Sequence, residues 1–299
     1  MAAATDTAAR ALLSWRNPDG GWGYGPERTS RLEPTCLALL ALAGRLPAGE
    51  AGRVLGAMAM RSGVFADGDL PPNYAANGLA LVILLGAGGG LPPRARELAF
   101  ALAGVKGLTF DRSPDLAHDT RLAAWPWVSG SFSWVEPTAW CVLGLKRYRQ
   151  SDPAGGADAP SPATLADRLD EAERLLLDRA IDGSGWNYGN TRVFGTRLPA
   201  YVPTTALALL ALQDRPTEPA TVGGVDWLAD ESLGEPSSLA LGLAAVALHV
   251  LAGAEAADFL DGPIADRVPV AIDLRQLPGV AWALYALDRH RHDCAHLRV

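Results

Sequence analysis

Six nearly all-apolar runs recur along the 299-residue chain, and they limit what it can fold into more than any other feature. They read LEPTCLALLALAG (32–44), NYAANGLALVILLGAG (73–88), VEPTAWCVLGLKRY (135–148), YVPTTALALLAL (201–212), GEPSSLALGLAAVALHVLAG (234–253) and QLPGVAWALYALDRH (276–290). Five contain a proline followed by a small or polar residue: Pro34-Thr35, Pro137-Thr138, Pro203-Thr204, Pro236-Ser237 and Pro278-Gly279. Proline suits a helix start, where its fixed φ is already helical and its missing N–H would have had no partner. A helix apolar all round must be enclosed.

The runs alternate with amphipathic, more charged segments such as AARALLSW (8–15), RARELAFAL (94–102) and LADRLDEAERLLLDRA (165–180). Six enclosed helices and six half-wet ones predict two concentric rings, an all-α (α/α)6 barrel with the apolar helices inside. Almost nothing alternates with period two, so little β-structure is expected. The stretch SDPAGGADAPSPATLAD (151–167) reads as a flexible surface insertion at about 151–166 within a single domain spanning 1–299, and residues 290–299 read as a mobile tail. A linker between two three-unit domains is the competing reading, but three helix pairs would not close a ring.

With 49% hydrophobic and 20% charged residues the chain can bury a large core. Its net charge of −7 argues against a nucleic-acid partner, which would need a basic surface facing phosphate. The start MAAATDTAAR lacks the pattern of a signal peptide, and the run 239–254 is shorter than the roughly 20 residues of a membrane span. Three cysteines, Cys36 and Cys141 among them inside Ala/Leu-rich runs, do not form a disulfide pattern, and a cytoplasmic location is expected. Peripheral membrane contact, a homo-oligomer and a partner barrel are left open.

The segment LLSWRNPDGGWGYG (12–25), its second copy DGSGWNYG (182–189) and AWPWVSGSFSWVEPTAW (124–140) resemble the repeat shared by squalene and terpenoid cyclases and protein prenyltransferase β subunits. Arg16 stands where that repeat usually has Gln, and Ser184-Gly185-Trp186 lacks its first glycine. The resemblance implies an (α/α)6 barrel whose inner helices surround a cavity for an isoprenoid chain. The cyclases' Asp-x-Asp-Asp motif is absent, and its middle acid position falls on Glu136, with Trp134 and Pro137 replacing the flanking aspartates; Glu33 and Glu235 occupy the same slot in their units. The Asp-x-Cys of the prenyltransferase zinc site is also absent, and Asp293-Cys294 are adjacent in the tail, so neither a metal nor a cofactor is expected.

A glutamate at a helix start complements the positive helix end, worth about 0.3–1 kcal/mol. In a dry cavity desolvation would instead raise its pKa and make it a general acid. Glu136 is the leading candidate acid, followed by Glu33. Asp119 is a third candidate, through a proton relay in DLAHDTR (115–121), which also holds Asp115, His118 and Arg121. Trp125, Trp127, Phe132, Trp134, Trp140, Tyr201 and Trp282 are candidate walls for a substrate, aromatic faces being suited to a carbocation. The tail, DRHRHDCAHLRV, holds three of the five histidines without the spacing of a common zinc site.

The leading expectation is a terpenoid-cyclase-like protein that binds an isoprenoid and starts cyclisation or isomerisation with a cavity acid. The alternatives are a non-catalytic barrel for a hydrophobic ligand or protein partner, and a carbohydrate-active α/α barrel. The last needs two facing carboxylates about 5–10 Å apart, and the sequence offers no obvious pair.

Overall fold

The computed structural model describes residues 2–86, 90–112, 116–152 and 160–299. The fold is all-α. The six apolar runs become helices α2 (Leu32–Ala41), α4 (Tyr74–Gly86), α6 (Val135–Ser151), α8 (Val202–Ala211), α10 (Ser238–Ala252) and α12 (Leu277–Leu287). Between them lie α1 (Ala2–Ser14), α3 (Glu50–Ala57), α5 (Pro93–Gly104), α7 (Pro162–Asp178), α9 (Pro219–Ser232) and α11 (Asp261–Asp273), followed by a short α13 (Arg289–His292). Each apolar helix packs against the next, and α12 returns to α2, so the contacts form a closed cycle. The amphipathic helices lie against this cycle, α5 touching α4 and α6, α9 touching α8 and α10, and α11 touching α10 and α12.

Small residues set the closest crossing. A Cβ on Gly78 of α4 would come within 2.6 Å of the Trp140 carbonyl carbon in α6, and one on Gly144 of α6 within 2.9 Å of the Gly78 oxygen. Glycine is therefore required at these two positions, where the backbones touch.

The join between an amphipathic helix and the apolar helix that follows it is built the same way in four units. Trp22, Trp125 and Trp186 are fully buried, and each indole N–H donates to a backbone oxygen of the preceding helix, those of Leu12, Leu102 and Leu176. Their backbone N–H groups donate to Thr35, Thr138 and Thr205, the fourth residues of α2, α6 and α8. In the second unit Phe65 takes the wedge and Asn77, fourth in α4, bonds both of its backbone groups. Each wedge thus buries a large ring, satisfies its polar atoms and fixes where the next helix begins.

The only strands among the described residues are two hairpins, β1 (Met60–Arg61) with β2 (Val64–Phe65) and β3 (Arg192–Val193) with β4 (Thr196–Arg197). The insertion expected at 151–166 is shorter, because α6 runs to Ser151 and α7 starts at Pro162, capped by Ser161; residues 153–159 of it lie outside the described residues.

The two ends of the helix cycle differ. At the N-termini of the apolar helices the connecting loops interlock: Leu277 N–H donates to Tyr24, Tyr74 N–H to Trp127 and Val135 N–H to Tyr188. At the C-termini the chain's own tail lies across the end. Arg147 donates to the carbonyls of Ala295 and Arg298 (2.7 Å each), Gln213 bonds Leu297 and Val299, and His249 Nε2 meets Asp293 Oδ1 at 2.9 Å. Cys294 and Leu297 are fully buried, and the His292 ring stacks on Tyr285 at 4.2 Å. The tail expected to be mobile thus has partners on α6, on α10 and just past the end of α8, which a reading of local composition cannot anticipate.

Candidate functional site

Glu33 and Glu136 are each the second residue of their helix, α2 and α6, and both helices start at the same end of the cycle. The wedge Trp and its threonine set that register, so both carboxyl groups emerge at the mouth. Both are half-buried by accessible area yet lie deep among protein atoms, as expected for groups in a concave recess. Desolvation, joined by the charge of Glu33, pushes Glu136 up to about 8. Glu33 is also raised, chiefly by desolvation and further by Asp67, while the hydrogen bond from Tyr24 opposes the rise. The Glu33 charge adds to the rise at Glu136, so the two carboxyl groups lie near enough for their charges to interact.

Their partners separate their roles. Tyr24 Oη donates to Glu33 Oε2 at 2.5 Å, and burial plus the Glu33 charge raise the phenol's own pKa. Asp67, which contributes charge here, accepts the Leu32 N–H at 2.9 Å and so holds the start of α2 in place. The Glu136 carboxyl has no hydrogen-bond partner among the described residues. Tyr188 lies close enough for the Glu136 charge, after desolvation, to raise its pKa, and its ring is 5.9 Å from that of Tyr201. Tyr24, Tyr188 and Tyr201 are between 43% and 49% exposed, forming an aromatic rim that is open to solvent.

The candidate walls fall into three groups. Trp125 is buried beneath Arg168, whose guanidinium lies 4.5 Å from the ring, so it is a packing wedge and presents no face to a ligand. Trp140 and Trp282 stack at 6.2 Å between α6 and α12, with Tyr285 edge-on to Trp282, and together they fill the interior. Trp127 is partly buried against the core, while Phe132, Trp134 and Tyr201 reach the mouth.

Asp119 does not join the glutamates. Its carboxylate binds the Arg121 guanidinium and backbone N–H, and these bonds hold its pKa far below the carboxylate range, so the proposed relay is corrected to an ion pair. His118 lies nearby, and Asp115 falls outside the described residues. Glu235 is also corrected: α10 begins three residues after it, and its carboxylate accepts the Ser237 N–H within its own loop at 2.9 Å. Where the tail begins, His290 converges with Asp258 and Asp261 from around the start of α11, but Arg289 bridges both carboxylates and already supplies their counter-charge.

Sequence reasoning missed the pairing of Glu33 with Glu136, and it missed Tyr24, Tyr188 and Asp67. A signal for the tyrosines existed, since both loop copies place Tyr two residues after the wedge, in Trp22-Gly-Tyr24 and Trp186-Asn-Tyr188. Asp67 follows a hairpin that carries no motif.

No protein-family model matches the chain, and no curated protein does. Among solved structures it is similar to a protein from Actinoplanes, at 19% identity with a TM-score of 0.57, covering 96% of this chain and 98% of that one. It is also similar to a glycosidase variant in complex with glucose, at 12% identity with a TM-score of 0.63, covering 99% and 97% of the two chains. At such identities the likeness is one of fold. Among the described residues no helix is long and apolar enough to cross a membrane.

Proposed function

We propose that the chain is an (α/α)6 barrel acting on carbohydrate, with Glu136 and Glu33 as its acid pair. The observation that carries this reading is an unpartnered carboxyl at Glu136, raised to about 8, beside a second carboxyl held by Tyr24. Glycoside hydrolysis uses such a pair: one group protonated at working pH, the other ionised. Glu136 gives its proton to the glycosidic oxygen as the bond to the anomeric carbon breaks. Glu33 faces that carbon as the carboxylate, with Tyr24 and Asp67 fixing its position, and water supplies the hydroxyl that the carbon ends with, its remaining proton restoring the acid. The half-exposed Tyr24, Tyr188 and Tyr201 suit the apolar faces of sugar rings. The fold shared with a glucose-bound glycosidase supports the class without naming the substrate.

The resemblance to the cyclase and prenyltransferase repeat accounts for the scaffold in this proposal. An isoprenoid substrate is favoured less, because Trp140, Trp282 and Tyr285 pack the interior that a long chain would need.

The test is hydrolysis of a panel of aryl glycosides and oligosaccharides by the wild type and by Glu136→Gln. Cleavage that disappears in the variant, with its helical circular dichroism unchanged, is the expected result. Equal cleavage by both proteins contradicts the role of Glu136. A wild type inert across the panel while it turns over a polyprenyl diphosphate returns the chain to the isoprenoid reading.

A further inference from the structure

A cavity of about 220 Å³ opens beside Trp134, two residues before Glu136, between the loop that precedes α6 and the loop that precedes α8. One wall is aromatic: Phe110 and Phe132 meet edge to face at 5.3 Å and stay 42% and 47% exposed. The other wall holds His118, Arg179 and Asn190. His118 and Arg179 are more than nine-tenths buried, yet His118 Nδ1 and Arg179 Nε have no hydrogen-bond partner among the described residues. They are two of nine such buried atoms among the described residues, and both side chains line the cavity that also holds the exposed aromatic pair.

The local charge narrows the ligand. Asp178 Oδ2 lies 3.4 Å from Arg179 Nε and accepts the Asp119 N–H, so it balances the guanidinium charge without satisfying that nitrogen. Burial and the Arg179 charge push the His118 ring down to about 4, leaving it neutral at pH 7, with one nitrogen donating and the other accepting. The cavity therefore offers an apolar aromatic face opposite neutral hydrogen-bonding groups. Its volume is below the roughly 300–1,000 Å³ of pockets for drug-sized ligands, which restricts it to a single ring.

We propose that this cavity is a subsite for one uncharged sugar ring, with its apolar face on Phe110 and Phe132 and its hydroxyls on His118 and Arg179. The inference rests on the carbohydrate reading for its ligand class. It adds a second contact region beside the acid pair, so that an oligosaccharide reaching Glu136 places a neighbouring residue here.

The test titrates the full chain with methyl glycosides of neutral hexoses and pentoses, and with methyl glucuronide, followed by ligand-observed NMR. At least one neutral glycoside is expected to bind saturably, and equally well to wild type and Glu136→Gln. Phe132→Ala, an exposed position whose change spares the fold, is expected to weaken that binding tenfold or more, and His118→Leu to weaken it as well. Absence of saturable binding, an unchanged affinity in Phe132→Ala, or a preference for the glucuronide overturns the proposal. Glu136-dependent hydrolysis with no such binding removes the subsite alone, whereas binding without any hydrolysis removes the catalytic reading alone.

Discussion

The two ends of the helix cycle are built from the same repeat but treat their charged groups differently. At the tail-covered end charges are paired: Lys146, almost fully buried, contacts Glu173 at 2.6 Å, Asp214 and the Ala211 carbonyl, while Arg45 meets Asp288 at 2.8 Å. At the mouth the Glu136 carboxyl has neither a hydrogen-bond nor an ion-pair partner among the described residues, and burial pushes it up to about 8. Orphaned buried atoms occur at both ends, Arg147 Nε, Tyr285 Oη and His296 Nδ1 among them at the covered one, so what distinguishes the mouth is a carboxyl pushed far from its ordinary pKa with no cation beside it among the described residues. Charges at one end close the fold, and the other end leaves a carboxyl without a counter-charge among the described residues.

Exchanging the roles of the two ends by mutation is the way to break this comparison. The largest effect is expected from Glu136→Gln, which removes the proton donor and should reduce glycoside turnover by about 10²–10⁴-fold, measured as kcat/KM. At the covered end Glu173→Ala strips a buried partner from Lys146 and should cost about 3–5 kcal/mol in denaturant unfolding, with activity per folded molecule unchanged. A comparable stability loss from Glu136→Gln would erase the distinction between the ends.

Smaller changes sharpen it. Activity should follow a bell in pH, falling as the pair takes up its second proton on the acid side and as Glu136 ionises at about 8 on the basic side. Tyr24→Phe removes a hydrogen bond that favours the Glu33 carboxylate, so the acid limb should move to higher pH while the basic limb stays. Its effect at the optimum should be the smallest of these, within about tenfold.

Much of the scaffold was legible in the sequence because it is written in repeats. Apolar periodicity located the six apolar helices, and the Gly-Trp loops marked the joins, where Trp22 and Trp186 prove to be wedges. The Pro-Thr signature misleads by one residue in the fourth unit: aligned on helix starts, Pro203 occupies the slot of Glu33 and Glu136, and Thr205 accepts the wedge N–H while Thr204 donates to the wedge carbonyl. The acid pair was not legible as a pair. Glu33 and Glu136 are separated by more than a third of the chain, and only closure of the cycle brings their fields together. The contacts of the tail were not legible for a related reason, since its partners Arg147, Gln213 and His249 come from three distant parts of the chain.

The account depends on Glu136 remaining protonated at neutral pH. A carboxyl whose folded value lies above that of the unfolded chain stabilises the fold fully below about 4.3, and this contribution is lost as pH rises toward 8. Glu136→Gln should therefore show less loss of stability than wild type on going from pH 5 to pH 9. The most direct measurement is a carboxyl-carbon NMR titration of protein labelled at glutamate, with the Glu136 signal assigned by its absence in Glu136→Gln. A midpoint near 8 is the predicted result, and a midpoint near the ordinary glutamate value of about 4.3 would contradict the account.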